Sequence, residues 1–298
     1  MSTRTPAAVA AIMLLVLGAL GFTSTALAAP RTTERTFPAP EPGLLTLTAK
    51  HGGDIRIAGW DKPEIHVLVT DKKGNIKVDF RPSGGNLTIE GAYEGSKQII
   101  RSTEVVYDIQ IPRKFDLSIA SDGGDILLEG IEGTIQGRTM GGNLRLAELA
   151  GTIDLETKGG NIEAAQLRAT GPLRTAGGNV SIANAPAGVD VETMGGNIRI
   201  GPVDGPVKAT TMGGSIEIRL GPGAGDCTAT TAGGDITLQV PGGYSATFQV
   251  SIADMPHAEG VECKVPGLDL AGAAKLGDGG HRVALQTGGG RLRILPID

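Results

Sequence analysis

Four histidines are the side chains of this chain best suited to bind a metal or to act as a base. They are His51, His66, His257 and His281, and the last two flank Cys263. Metal and nucleophile sites are signalled by close spacings such as CxxC or HExxH, which bring several reactive groups to one point. The chain contains no such spacing, so we interpret these histidines as scattered surface residues and predict no metal site.

The carboxylates are the next candidates, because paired Asp or Glu residues cleave glycosidic bonds. Asp125, Glu156, Glu192 and Glu217 stand at separated places in the sequence, and Trp60 is the only tryptophan that could stack on a sugar. We therefore predict no catalytic residue and no enzymatic activity. A polysaccharide-active β-helix enzyme stays open as an alternative.

Calcium chemistry has its own sequence pattern. A calcium-binding roll places an Asp six residues into each Gly-Gly unit. Here that position is occupied by Ile200, Ile218 and Leu238. The sequence therefore predicts no cofactor and no calcium site.

The residues above belong to a repeat of 18 residues. A Gly-Gly pair recurs at this interval from Gly123 to Gly213, and once more after 20 residues. Each repeat contains two short runs of alternating apolar and polar residues, a pattern typical of strands with one buried face. A fixed period of this size indicates a solenoid. We predict an all-β fold, a parallel β-solenoid with 18-residue rungs of two short strands each.

Three residue types hold fixed positions in each rung, and we predict that they are structural. The glycines allow positive φ and close approach of the next rung. The following Asn residues are expected to form an amide ladder, and stacked Thr residues are expected to pack and share hydroxyl bonds. The glycines are Gly123, Gly124, Gly141, Gly142, Gly159, Gly160, Gly177, Gly178, Gly195, Gly196, Gly213, Gly214, Gly233 and Gly234. The ladder residues are Asn143, Asn161, Asn179, Asn197, Thr139, Thr157, Thr175, Thr193 and Thr211.

The alternation also assigns the two faces of each strand. Aliphatic residues such as Ile198 and Ile200 are predicted to point inward, and Met140, Met194 and Met212 to fill corners of the core. Outward residues alternate in charge between rungs and are interpreted as solvated faces. The two outward columns are Arg138, Glu156, Arg174 and Glu192, and Arg145, Glu163, Ser181, Arg199 and Glu217.

The two cysteines, Cys227 and Cys263, are 36 residues apart, or about two rungs. Two rungs span about 10 Å, which exceeds the usual Cα limit of about 7 Å for a disulfide. Two buried thiols are therefore favoured, and a disulfide across distorted rungs stays open.

The N-terminal segment is typical of a secretory signal peptide over residues 1–28, with an apolar stretch followed by Ala26-Leu27-Ala28. We predict export to the periplasm, the cell surface or the medium, and a membrane anchor if this segment stays uncleaved. Residues 29–42 form a Pro-rich lead-in, and residues 43–298 form a single solenoid domain. Its regular repeats span 123–240 and its irregular ends act as caps.

The formal net charge of −5 disfavours nucleic acid as a partner. We expect instead a protein or an envelope or surface polymer. Loops on rigid scaffolds carry function more often than repeat columns do, and this favours Trp60, Tyr93 and His257 as binding candidates.

The motifs "GGDIRIAGW", "VYDIQIP" and "GGGRLRILP", together with the Gly-Gly-Asn repeats between them, suggest a family. This layout resembles a bacterial family of secreted β-strand-repeat domains of unknown function that are designated adhesins, and it is similar to auto-transporter adhesin head domains. The resemblance implies a non-enzymatic, adhesin-like binding or display scaffold, and implies no particular site residues. Similarity to envelope-stress accessories keeps open a periplasmic sensor that acts on a membrane partner.

Overall fold

The computed structural model describes residues 30–40, 42–94, 104–253, 260–270 and 274–297. Within these ranges the regular secondary structure consists of strands. In chain order they are β1 Arg31–Pro38, β2 Leu44–Ala49, β3 Asp54–Trp60, β4 Glu64–Asp71, β5 Ile76–Ser83, β6 Asn86–Tyr93, β7 Val105–Pro112, β8 Asp116–Ser121, β9 Ile126–Glu129, β10 Glu132–Thr139, β11 Leu144–Ala147, β12 Ala150–Thr157, β13 Ile162–Ala165, β14 Arg168–Thr170, β15 Pro172–Thr175, β16 Val180–Ile182, β17 Val189–Thr193, β18 Ile198–Val203, β19 Val207–Thr211, β20 Ile216–Leu220, β21 Cys227–Thr231, β22 Ile236–Val240, β23 Ala246–Ile252, β24 Val261–Cys263, β25 Lys275–Leu276, β26 His281–Thr287 and β27 Leu292–Pro296.

The strands form two long sheets that sandwich one aliphatic core. Sheet A has 13 strands in the order β1-β4-β7-β3-β9-β11-β13-β16-β18-β20-β22-β27-β24. Sheet B has 14 strands, ordered β25-β23-β26-β21-β19-β17-β15-β12-β10-β8-β2-β6-β5, with β14 paired to β12 beside this path. Each regular rung gives one strand to sheet A and the next to sheet B. The predicted all-β solenoid is therefore confirmed.

Successive regular rungs pair in parallel and, apart from a register shift between β18 and β20, in register, because they repeat the same positions at intervals of 18 residues and, once, of 20. Ile162 pairs with Val180, and Val180 pairs with Ile198. All of these side chains are at most 1% exposed. One inward position per strand thus builds a continuous apolar column, and this burial is the main source of stability for a repeat that cannot fold alone.

Both ends of the solenoid depart from the simple stacking order. At the N-terminal end, β2 lies between β6 and β8, and β3 lies between β7 and β9. At the other end, β26 lies between β21 and β23, and β27 lies between β22 and β24. The rungs after β22 therefore do not follow one another in chain order: the last rung stacks directly on the rung of β21 and β22.

Antiparallel strands close both ends. Strand β1 pairs with β4, β4 with β7, and β5 with β6 at one end, and β25 pairs with β23 at the other. Phe37 of β1 also packs on Phe80 of β5, with 5.6 Å between ring centroids. These strands lie on the terminal rungs, where exposed strand edges would otherwise invite aggregation.

The three methionines are placed differently from the expectation. Met140, Met194 and Met212 are 52%, 49% and 56% exposed, so the prediction that they fill core corners is wrong. Each follows a buried threonine, and strand alternation therefore turns the next side chain outward.

Candidate binding face

The turns at the glycine pairs depend on contact between backbones of successive rungs. A Cβ built on the second glycine of a pair, for example Gly178 or Gly196, would collide with the carbonyl oxygen of the glycine one rung below. Among the paired glycines of the regular repeats, φ is positive only at Gly124 (+93°) and Gly142 (+101°). Of the two expected reasons for the glycine pairs, positive φ applies only at these two positions, and close approach of the next rung is the general one.

The buried threonines join each turn to the turn below. The hydroxyl of Thr193 donates to the carbonyl oxygen of Gly178 at 2.9 Å and accepts from the backbone N–H of Gly196 at 3.2 Å. The same two contacts occur at Thr175 and Thr211. The stacked hydroxyls therefore bond to backbone groups rather than to one another, and they satisfy groups that the turn would leave unpaired.

The asparagine column forms a ladder of a different kind from the amide–amide ladder that we expected. The side-chain oxygen of Asn161 accepts the backbone N–H of Asn179 at 2.8 Å, and that of Asn179 accepts the backbone N–H of Asn197 at 2.8 Å. Within the described part of the chain, one side-chain amide of this column also donates to the rung below: that of Asn143, to the carboxylate of Asp125 at 3.2 Å. Each side chain thus caps the backbone of the next rung.

The outer face of sheet A, here called the groove face, carries two adjoining depressions. One has a volume of about 510 Å³ and runs from Asn179 to Arg293, and the other, of about 420 Å³, runs from Leu127 to Ala183. Both are bordered by Ser181. They exist because small outward side chains, including the exposed Ala165 and Ala183, leave space beside the longer charged column.

Charges along the groove face pair between rungs, as their register predicts. Arg199 lies 3.0 Å from Glu217, and Arg145 lies 2.9 Å from Asp125 and 3.7 Å from Glu163. These side chains are one-third to three-quarters exposed, so each pair stabilises the fold only slightly. Their main effect is to leave this face without a strong field of one sign.

A further depression of about 470 Å³ lies on the outer face of sheet B. Its rim includes Lys50, Arg138 and Lys158 together with Glu156, and it opens where Ala120 stands in the outward column. This depression could not be predicted from the sequence, because it depends on one small residue between longer neighbours. Its mixed charges do not single out a ligand.

The two predicted loop candidates that the structure describes, Trp60 and Tyr93, make separate contacts. Trp60 ends strand β3, and its indole N–H donates to the carbonyl oxygen of Glu64 at 2.8 Å. Tyr93 ends strand β6 and packs edge-on against His51, with 5.7 Å between ring centroids. His257 lies outside the described residues. Trp60 and Tyr93 are therefore strand-end residues with intramolecular contacts, and not loop residues.

A buried polar cluster near the N-terminal end was missed by the sequence analysis. His51 is only 5% exposed, contrary to its interpretation as a surface residue, and its Nε2 lies 2.8 Å from the Tyr107 hydroxyl. Burial lowers the pKa of His51, although Asp71 opposes this shift, and burial raises the pKa of Tyr107. The cluster was not predictable because the two residues are 56 positions apart and share no motif.

The other reactive candidates are also separated. Cys227 lies in sheet B and Cys263 in sheet A, and both are free thiols, so the alternative of a disulfide is wrong. Cys227 is buried, which raises its pKa to about 12, whereas Cys263 is only half-buried. His281, which begins β26 in sheet B, stacks on Tyr244, whereas Cys263 lies in sheet A.

The carboxylates singled out from the sequence lie on different rungs, and three of them are in ion pairs. Asp125 pairs with Arg145, Glu192 with Arg174, and Glu217 with Arg199. No group of three or more His, Cys, Asp or Glu side chains is placed to hold a metal ion among the residues that the structure describes. Over the same residues, no helix has the length and hydropathy needed to cross a membrane.

Comparison with solved structures finds chains that are similar to this one at low sequence identity. A candidate adhesin from Bacteroides fragilis is 13% identical, with coverage of 90% of this chain and 97% of that one and a TM-score of 0.41. A candidate lipid-binding protein from Parabacteroides distasonis is 14% identical, with the same coverage and a TM-score of 0.32. A candidate cell adhesion protein from Clostridium sporogenes is 10% identical, covering 90% of this chain and 100% of that one, with a TM-score of 0.25.

No curated protein matches the chain. A family model does match: the Toastrack DUF4097 model aligns with residues 45–264, which include all of the regular repeats, most of the N-terminal end and the first part of the C-terminal end. The resemblance to a strand-repeat family of unknown function is thereby confirmed, and the chain belongs to the Toastrack DUF4097 family.

Proposed function

We propose that this protein is a non-enzymatic extracytoplasmic scaffold that binds a protein or an envelope polymer through the groove face. The observation that carries the proposal is the pair of adjoining depressions on a face whose backbone is held rung by rung. A site built on strands keeps its geometry more accurately than a site on loops. Together the depressions extend over the regular rungs from β9 to β22 and provide room for an elongated ligand.

The distribution of reactive groups supports binding rather than catalysis. The strongest departures of pKa fall on Tyr107, Cys227 and Tyr244, and none of these three residues lines either depression. Enzymes place such perturbed groups together in the cleft where substrate binds. On the groove face the charged side chains pair with one another instead.

Two arginine substitutions test the binding face. Ala165→Arg and Ala183→Arg place long side chains in the smaller depression, and both positions are exposed, so the core is untouched. We expect the double variant to lose most binding to envelope fractions of the source organism, measured by co-sedimentation. Gln136→Arg, at an exposed position on sheet B, is the matched control and should bind like the wild type. Equal binding by all three proteins would contradict the proposal.

Export is tested separately. The N-terminal sequence of the chain supports export, and we expect the protein in the envelope or the medium after fractionation of cells of the source organism. Protease treatment of intact cells then separates a surface location from a periplasmic one. Recovery of the full-length protein with a cytoplasmic marker would contradict the extracytoplasmic assignment.

A further inference from the structure

The asparagine column has donor groups that the ladder does not use. The side-chain oxygens of Asn161, Asn179 and Asn197 each accept the backbone N–H one rung above, at distances of 2.8 Å. These contacts fix the amide orientation, because the oxygen must face the donating N–H. The amide nitrogens of these three residues have no partner within the described part of the chain, and all three residues are exposed.

The three amides therefore form a regular row of donors. They belong to rungs that pair directly, so neighbouring amides are about 4.8 Å apart along the axis. Asn179 and Asn197 also line the depression of about 510 Å³, a volume within the range of ligand sites. A ligand in this depression would meet N–H donors at the interval of the rungs.

The charges beside the row favour a neutral ligand over a charged polymer. Arg199 and Glu217, which line the same depression, are in contact with each other at 3.0 Å. A polyanion would have to separate this pair and approach Glu217, and a polycation would have to approach Arg199. Ser181, between the charged pairs, adds a neutral hydroxyl.

We propose that the amide row on the groove face binds a neutral linear glycan, an inference that rests on the proposed binding function and names the ligand class. Each sugar unit brings hydroxyl or acetamido oxygens that accept hydrogen bonds, and in an extended chain these recur at an interval similar to the strand spacing. No aromatic side chain lines either depression, so binding comes from repeated hydrogen bonds. Affinity then grows with the number of sugar units engaged at once.

The test uses the chain without residues 1–28, the predicted signal peptide, and β-1,4-linked N-acetylglucosamine oligomers as ligands. Heparin is the polyanionic probe. We expect the hexamer to bind more tightly than the dimer by isothermal titration calorimetry. The variant N161S/N179S/N197S removes the amide donors but keeps a ladder oxygen, as the native Ser215 does: its hydroxyl accepts the backbone N–H of Asp235 at 3.1 Å. We expect this variant to weaken hexamer binding by about tenfold.

The control is Q136S/Q286S, which removes two exposed amides from sheet B and should leave binding unchanged. Circular dichroism spectra and melting temperatures near those of the wild type verify that both variants fold. Hexamer binding that the triple variant retains in full would overturn the assignment to the asparagine row. Preference of the wild type for heparin, or absence of hexamer binding, would overturn the assignment of a neutral glycan as the ligand.

These outcomes are distinguishable from failure of the proposed function. If the arginine variants lose envelope binding while no oligomer binds, the scaffold function stands and the glycan inference is wrong. If the wild type binds neither envelope material nor any oligomer, both are wrong.

Discussion

At the scale of single residues, the two glycines of each pair have different roles. A Cβ on Gly195 would meet only carbonyl oxygens at 3.8 Å, an ordinary contact, whereas a Cβ on Gly196 would overlap the carbonyl group of Gly178. We therefore expect Gly195→Ala to change the free energy of unfolding by less than about 1 kcal/mol. Gly196→Ala should destabilise the protein by about 2–3 kcal/mol, because backbone atoms of two rungs must separate.

Chemical denaturation of the two variants measures this difference, and each variant serves as the control for the other. They add the same methyl group at adjacent positions of one turn. Similar losses of stability in both would mean that conformational restriction, rather than contact between rungs, is the reason for the glycine pair.

The His51 side chain makes stability depend on pH. Burial lowers the pKa of His51 in the folded protein below its ordinary value of 6.5. The unfolded chain therefore binds a proton more readily, so this contribution to stability is complete above about pH 6.5 and is lost as the pH falls through the folded pKa. We expect the melting temperature of the wild type to fall more steeply between about pH 7 and 5 than that of His51→Gln.

The matched control is His66→Gln, at a partly exposed histidine 2.9 Å from Glu34. The quantity compared is the slope of melting temperature against pH. This comparison removes any effect of the substitution on the melting temperature that is the same at every pH. A His51→Gln variant that keeps the full wild-type slope would show that other groups cause the acid sensitivity.

At the scale of elements, the corner between sheets A and B is strained in two rungs. Glu148 and Gln166 have φ values of 53° and 52°, which are unfavourable for residues with a side chain. They stack on Gly130, which has φ of 67° in the same column, as the pairing of β9, β11 and β13 shows. Gly130 thus shows that glycine, which adopts positive φ without steric cost, suits this corner.

We expect Glu148→Gly and Gln166→Gly each to raise the free energy of unfolding by about 0.5–1 kcal/mol, since release of strain exceeds the added entropy of the unfolded chain. The control, Gln136→Gly, lies at an exposed position within β10 and should lower it by a similar amount. Urea denaturation measures whether each variant raises or lowers the free energy of unfolding. Destabilisation by both corner variants would mean that the native side chains make contacts worth more than the strain.

The regular rungs, the turns and the groove face were predictable from the sequence to different degrees. The regular rungs were predictable because a constant interval of 18 residues sets both the strands and their register. The outward direction of the Met194 side chain was not predicted, because Met194 was assigned to a corner of the core. The alternation of inward and outward side chains continues past Thr193 into the turn and places Met194 outside. The groove face was recognisable only as a solvated column, because its depressions depend on which neighbouring outward residues are small.

At the scale of the whole molecule, two strands near each end of the described chain lie inside the sheets rather than at their edges. Strands β2 and β3 near the start, and β26 and β27 near the end, each have a strand on both sides. The sequence could not reveal this order, because pairing between distant strands has no local signature. One sequence feature does point to it: Thr287 and the glycines after it repeat the regular turn. In the structure Thr287 pairs with Thr231.

This order makes the last rung essential to the elements that precede it in the chain. Strand β23 pairs only with β26 and the two-residue β25, and β24 pairs only with β27, within the described residues. In a solenoid stacked in chain order, loss of the terminal rung leaves its neighbours in place. Here, loosening β26 and β27 also removes the partners of β23 and β24 and exposes the edges of β21 and β22.

Gly290→Ala tests this dependence without shortening the chain. A Cβ on Gly290 would overlap the carbonyl group of Gly234, whereas a Cβ on the adjacent Gly289 meets nothing within 4 Å, so Gly289→Ala is the control. By hydrogen exchange we expect Gly290→Ala to reduce protection in β23 as well as in β26 and β27, because the three strands open as one unit. Protection of β23 that stays at the wild-type level while β26 and β27 exchange freely would show that the end of the solenoid unfolds strand by strand.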